Sequence, residues 1–404
     1  MKKLTRRQFL ASGGLGLLAL GSLPKWLAAA SAQASRARRK VLVVLFQRGA
    51  ADGLNIVPPF LDPNYRRARP SIAVDASTRK APEGALDLDG RFGLHPALSD
   101  LLPLWKDGRL AVVQAAGSPD GTRSHFDAQD YMESGTPGVK TTEDGWLNRA
   151  MLTGASRDPL AAVAVAPRLP LTLRGDYPAL ATMSVDQLAK GLPLSGSFES
   201  MYDETVDALL SGAARDIGDA RKALAKIPRF DSAAFEAAGY PKGALARELH
   251  ELARLIAGDV GLRVGFVEVG GWDHHQNEAA RLTRGLQELG GCLAAFYREL
   301  GDRSEDVLLI TMTEFGRTME ENGDGGTDHG HASVMLALGG GVRGGKVYGR
   351  WPGLAKEQLF EGRDLQVTTD FRQVLSEALS RHSGVTKLDA VFPGGAFTPL
   401  GLLV

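Results

Sequence analysis

Cysteine is almost absent: Cys292 is the only one among 404 residues, so no disulfide within the chain can hold the fold together. Surplus charge is absent too. Lysine and arginine number 47 against 47 aspartates and glutamates, and nothing in that balance suggests a nucleic-acid surface. Because Lys2, Lys3, Arg6, Arg7 and Lys25 all lie near the N-terminus, the rest is mildly acidic. A comfortable membrane span is also missing, since the uncharged stretch from Gln8 to Pro24 carries four glycines and falls short of the ~20 apolar residues a spanning helix needs. There is no fixed-period internal repeat.

What is present begins with Thr5-Arg6-Arg7-Gln8-Phe9-Leu10, a run rich in Gly, Ala and Leu to Pro24, and Ala32-Gln33-Ala34. This is the pattern of a twin-arginine export signal over residues 1–34, with the mature protein starting near Ser35. It predicts a periplasmic or secreted location, the twin-arginine export machinery as a partner, and membrane attachment only through an uncleaved signal. That route carries proteins already folded, often with a cofactor loaded first, so a metal or other prosthetic group is expected. Residues 35–404 are enough for one large α/β domain or two smaller ones, and are read as one. The 49 glycines and 20 prolines suit an enzyme whose site is built from strand-end turns.

Lys40–Phe46 (KVLVVLF) reads as a strand buried on both faces, followed by the Gly-containing turn Gln47–Asn55. Similar runs at 110–114, 163–166, 263–269, 307–311 and 334–338 alternate with helical patterns, which predicts an α/β sheet. Leu282, Leu286, Leu289, Leu293, Phe296 and Leu300 form one helical face, and Cys292 is expected in the core on that stripe. Leu245, Leu249, Leu252 and Ile256 mark a second helix, and 202–226 a third. The strand-free segment 195–258 is expected to be a helical insertion or cap.

Histidines and acids cluster in three places: Arg123-Ser124-His125-Phe126, Gly271-Trp272-Asp273-His274-His275-Gln276, and Thr327-Asp328-His329-Gly330-His331. Carboxylate oxygen and neutral imidazole nitrogen are zinc-type ligands, and short turns can aim both inward. Asp52, Asp273 and Glu314 follow predicted strands, where open parallel sheets bind ligands. Of the adjacent His274 and His275, which cannot both point one way in an extended chain, His275 is the preferred ligand. Each feature has a plainer reading. Asp52 could stabilise a turn, Glu314 and Arg317 could be a structural ion pair, and Ser124 with Asp127 has the spacing of a helix N-cap. Arg123, Arg317 and Arg372 are all candidates to hold an anionic substrate.

The blocks FQRGAADGLNIVPP, GLHPAL, RSHFDAQDYMESG, DGWLNR, GGWDHHQNE, TMTEFGRTMEENGDGGTDHGHAS and GRDLQVTTDFR together resemble the exported bacterial family called domain of unknown function 1501, over about residues 40–382. The resemblance implies an alkaline phosphatase-like fold, a doubly wound, mainly parallel α/β sheet with metal ligands at strand ends. It implies Asp52 as the first ligand and Ser124 as the nucleophile at the start of a helix. The sequence departs from the phosphatase pattern at two places. The histidine after Asp273 comes two residues on instead of four, and the Asp-His pair lies fourteen residues beyond Glu314 instead of directly after the strand. Either Glu314 replaces that Asp and the later loop supplies another ligand, or the loop folds back and serves both.

The resulting expectation is an exported hydrolase of phosphate or sulfate esters, acting on a small-molecule or polymer substrate. Its divalent metal, zinc by ligand type and one or two ions in number, would be held among Asp52, Asp273, His275, Glu314, Asp328, His329 and His331. Ser124 would attack, with Arg123 and Arg317 on the substrate. The alternative is a non-catalytic exported protein of the same fold that binds cell-envelope polymer or a protein partner.

Overall fold

Every residue of Val41–Gln47 is buried, as a strand covered on both faces requires. The computed structural model describes residues 39–76, 84–155, 157–190, 223–224, 227–395 and 397–404. The expected export signal and most of the expected third helix, with residues 195–222 of the insertion, lie outside the described residues. The unit from Lys40 to Val404 is the α/β part.

In chain order the described strands are β1 (Val41–Gln47), β2 (Leu86–Asp87), β3 (Gly93–Leu94), β4 (Leu110–Gly117), β5 (Ala162–Ala164), β6 (Leu180–Ala181), β7 (Val264–Val269), β8 (Val307–Met312), β9 (Ser333–Gly339), β10 (Lys346–Tyr348) and β11 (Thr369–Asp370). All six runs read as strands from the sequence are among them. Nine form one sheet in the order β10-β4-β9-β8-β1-β7-β5-β6, with β11 added beside β4, while β2 and β3 make a separate pair. β1 lies at its centre, parallel to β7 on one side and β8 on the other. Only β9 among the described strands of this sheet runs antiparallel to its neighbours, β4 and β8.

The longer helices are α1 (His125–Ser134), α2 (Trp146–Leu152), α3 (Ala244–Ala257), α4 (Glu278–Leu300) and α5 (Phe371–Glu377). Because side chains alternate across a strand, β1 feeds two cores. Val41, Val43 and Leu45 join Leu249 and Leu252 of α3 and Leu286, Leu289 and Cys292 of α4. Leu42, Val44 and Phe46 join Trp146 of α2 and Phe371 and Leu375 of α5. The sheet is therefore sandwiched between helical layers, the doubly wound arrangement. Each fully buried leucine contributes roughly 1.5–3 kcal/mol of burial free energy.

Strand direction decides what meets at the rim. β1, β4, β7 and β8 all run the same way, so the turns after Gln47, Gly117, Val269 and Met312 emerge on one edge. The chain leaving β8 stays on that edge through residues 313–332 and then descends along β9. The antiparallel direction of β9 thus puts the turn before its first residue beside the turns after the parallel strands.

Below the rim, His95 caps the short helical turn Pro96–Leu101, its Nδ1 accepting the Ala97 N–H at 3.1 Å. That role needs a neutral ring, and burial pushes its pKa down to about 4, against a smaller opposite pull from Asp52. The unfolded chain therefore takes up a proton near pH 6.5 that the folded one refuses until about pH 4. Stability should fall with pH through that window, by on the order of 3 kcal/mol from this residue. In His95→Asn, which can keep the cap, urea unfolding between pH 7 and 4 should show a correspondingly shallower loss. Equal slopes for the two proteins would contradict this.

Candidate metal centre

Four side chains from three rim turns meet at one point. His125 Nε2 lies 3.0 Å from His329 Nε2, and His275 Nε2 lies 3.0 Å from the same atom. Asp273 closes the group, with Oδ1 at 3.0 Å from His275 Nε2 and 3.3 Å from His329 Nε2, and Oδ2 at 3.5 Å from His125 Nε2. The ligand atoms of His125, Asp273 and His329 all fall within 4.8 Å of one another. His125 is the first residue of α1, Asp273 and His275 follow β7, and His329 belongs to the turn before β9.

The opposite nitrogen of each ring faces a group that can only accept when ionised or a backbone carbonyl. His125 Nδ1–H donates to Glu314 Oε1 at 2.8 Å, His275 Nδ1–H to Asp328 Oδ1 at 3.0 Å, and His329 Nδ1–H to the Arg123 carbonyl at 3.0 Å. With each proton held on Nδ1, all three Nε2 lone pairs point into the same space. Lone pairs 3.0 Å apart repel unless a cation lies among them. Tetrahedral zinc with ~2.0–2.1 Å bonds has ligand atoms about 3.3 Å apart, close to the spacings observed. Three neutral imidazoles and one carboxylate suit zinc, so the residues fit the metal that the sequence leads one to expect.

Charge and burial reinforce the arrangement. Burial works against ionising Glu314, but hydrogen bonds from His125, Gln129 Nε2 at 2.9 Å and the Gly49 N–H at 2.8 Å outweigh it and hold the carboxyl below its ordinary range. The Glu314 hydrogen bond in turn raises His125, while burial, with His125 and Arg317 nearby, lowers His329. Asp273 is kept low by Arg317, whose Nη1 donates to Oδ1 at 2.7 Å, despite an opposing cost of burial. The His275 hydrogen bond lowers Asp328. Asp273 and His275 keep 43% of their side-chain surface exposed, so the centre is open to solvent.

Not all the residues singled out in the sequence join this group. Asp273, His275 and His329 do, while Glu314 and Asp328 stand behind two of the imidazoles. Asp52 is fully buried and paired through both oxygens with Arg69. His331 is buried and donates from Nε2 to the Ser118 carbonyl at 3.1 Å, bracing the segment that leads to α1. Ser124 is the N-cap of α1; its Oγ accepts the Asp127 N–H at 3.5 Å, and the residue is exposed. Arg123 is engaged by Asp364 at 2.6 Å and Glu361 at 2.7 Å, and Arg317 is buried against Thr327 and Asp273.

Sequence reasoning passed over His125 and Gln129 as site residues. A signal was available: four residues apart from the start of one helix, they share a face. Backbone approach also matters. A Cβ on Gly330, between the two histidines, would lie 2.3 Å from the Arg317 carbonyl carbon, so only glycine lets this turn close over Arg317. Glu314→Gln should weaken zinc affinity about 10- to 100-fold by loosening the hold on His125 Nδ1. Competition against a chelating dye measures this, and unchanged affinity in the folded variant would contradict it.

No curated protein matches the chain. Among solved structures, the PsFucS1 sulfatase of Pseudoalteromonas sp. is similar at 14% identity and a TM-score of 0.40, covering 93% of this chain and 74% of its own. The C-terminal periplasmic domain of EcEptC from Escherichia coli, in complex with Zn, is similar at 7% identity and a TM-score of 0.37, covering 75% and 74%. Likeness at that level carries no argument about chemistry, which rests on the residues above. The family model described as Protein of unknown function (DUF1501) matches residues 39–392, and the chain belongs to that family.

Proposed function

We propose that the protein is an exported, metal-dependent hydrolase of phosphate or sulfate esters. The observation that carries this reading is the convergence of three Nε2 lone pairs and the Asp273 carboxylate on a solvent-open rim. His125, His275, His329 and Asp273 would hold a divalent ion, with zinc favoured by the donor set. Such an ion, when bound, supplies Lewis acidity that offsets charge developing on an ester oxygen.

The remaining roles belong to the chain itself. Ser124 sits between two residues anchored to the centre, Arg123 through its carbonyl and His125 through its ring. Its hydroxyl is the candidate nucleophile. Ser124 Oγ would bond to phosphorus or sulfur as the leaving oxygen departs and takes a proton, and water would then release the acid and restore the hydroxyl. The open N–H groups at the start of α1 favour an anionic group there. Beside the centre lies a groove of ≈ 940 Å³, bordered by Arg67, Glu320, Glu321, Lys356 and Arg363 and reaching Asp328, with room for an extended or polymeric ester. Arg363 donates to the His329 carbonyl at 3.1 Å and reaches Asp364 only at 3.5 Å, against 2.6 Å for Arg123; with 42% of its side chain exposed it is better placed for a substrate anion than Arg123 or the buried Arg317.

The twin-arginine pattern at residues 5–10 supports export to the periplasm or beyond. Among the described residues no helix is long and apolar enough to cross a membrane. One observation favours a second reading, a non-catalytic exported protein that binds envelope polymer or a partner through this rim. Arg123 is engaged by protein carboxylates and Arg317 is buried, so neither is free to grip a substrate anion.

Metal-loaded protein should cleave nitrophenyl phosphate or sulfate and lose turnover on chelation. Ser124→Ala should keep its metal and lose more than about 100-fold in kcat. A fully loaded protein inert to a broad panel of both ester classes would favour the binding reading.

A further inference from the structure

We infer that this rim holds a single metal ion, and that the Arg69 guanidinium permanently occupies the cationic place against the buried Asp52 carboxylate. The inference rests on the reading of the histidine centre as a metal site and adds its stoichiometry.

Five carboxyl groups gather in and behind this rim, and each is already committed to a partner. Asp273 is the one that touches the Nε2 atoms. Glu314 is committed to His125, Gln129 and the Gly49 N–H, and Asp328 to His275 Nδ1. Asp52, the acid on the first rim turn, is bonded through both oxygens to Arg69, which also donates to the carbonyls of Thr318 at 2.6 Å and Met319 at 3.0 Å. Asp52 and Arg69 are both essentially inaccessible to water. A guanidinium stays charged at any working pH and holds a carboxylate side by side, as a fixed cation would.

The fifth acid, Glu278, is also fully buried. It accepts from Thr327 Oγ1 at 2.5 Å, shares a hydrogen bond with Asp52, and is driven well above its ordinary pKa by burial and by the charge on Asp52. Two hydrogen-bonded carboxyls share one proton, and because Asp52 is paired through both oxygens with Arg69 that proton is assigned to Glu278. Thr327 Oγ1 accepts from Arg317 Nε at 3.1 Å, and Arg317 reaches Asp273. Along this chain, which leads from the buried Asp52 to the half-exposed Asp273, the charges cancel in pairs, Asp52 with Arg69 and Arg317 with Asp273. Glu314 and Asp328 are each turned to the far nitrogen of an imidazole, so a second divalent ion would meet no carboxylate without a committed partner. The three neutral imidazoles, by contrast, hold open lone pairs.

Native mass spectrometry of the full mature chain, loaded with excess zinc and then desalted, reads the number of ions directly. One per chain is expected, and His329→Ala should lose that one and carry none. Two ions in the wild type, or one retained in His329→Ala, would overturn the inference while leaving a metal centre in place. None in the wild type would overturn it together with the metal reading. Arg69→Met, where it folds, should gain a second, weaker zinc equivalent; a folded variant that still binds one ion would contradict the role given to Arg69.

Discussion

Three imidazole lone pairs aimed at one point are a costly arrangement in the absence of a cation, and the rim is organised around holding them there. Each ring is turned by its far nitrogen: Glu314 behind His125, Asp328 behind His275 and the Arg123 carbonyl behind His329. Those acceptors decide the tautomer, and the tautomer decides that the nitrogens facing inward can bind. Arg317 fixes the fourth member, Asp273. The acids that do not touch the centre are thus as much a part of it as those that do.

Sheet topology makes the convergence possible. Parallel β1, β4, β7 and β8 deliver their following turns to one edge, and the reversed β9 returns the turn at 327–332 to the same edge. The thirteen residues between Glu314 and Asp328 are spent along the rim, which is why the late position of the Asp-His turn in sequence does not take it away from the site. The two cores beneath, one on each face of β1, anchor these strands and so the register of the turns above them.

Much of this was legible in the sequence, for physical reasons. Buried strands such as Val41–Gln47 announce themselves by unbroken β-branched and apolar runs, and α4 by its leucine stripe. Asp273, His275, Asp328 and His329 stood out because glycine-rich turns give a core histidine little reason to be there. The direction of β9 was not legible, since an apolar run reads the same whichever way it is traversed. Nor were long-range pairings. Arg69 lies 17 residues from Asp52, capping the end of the short helix Pro63–Ala68, and Arg317, three residues from Glu314 in sequence, is bound to Asp273 44 residues away. His125 was hidden because the capping pattern drew attention to Ser124, one residue earlier.

The account is tested most directly by anomalous diffraction at the zinc edge from crystals of the zinc-loaded protein. It predicts one strong peak per chain, bound by Nε2 of His125, His275 and His329 and by Asp273 at about 2.0–2.2 Å. A peak bound instead through Asp52, or strong density elsewhere with none among the three imidazoles, would contradict it.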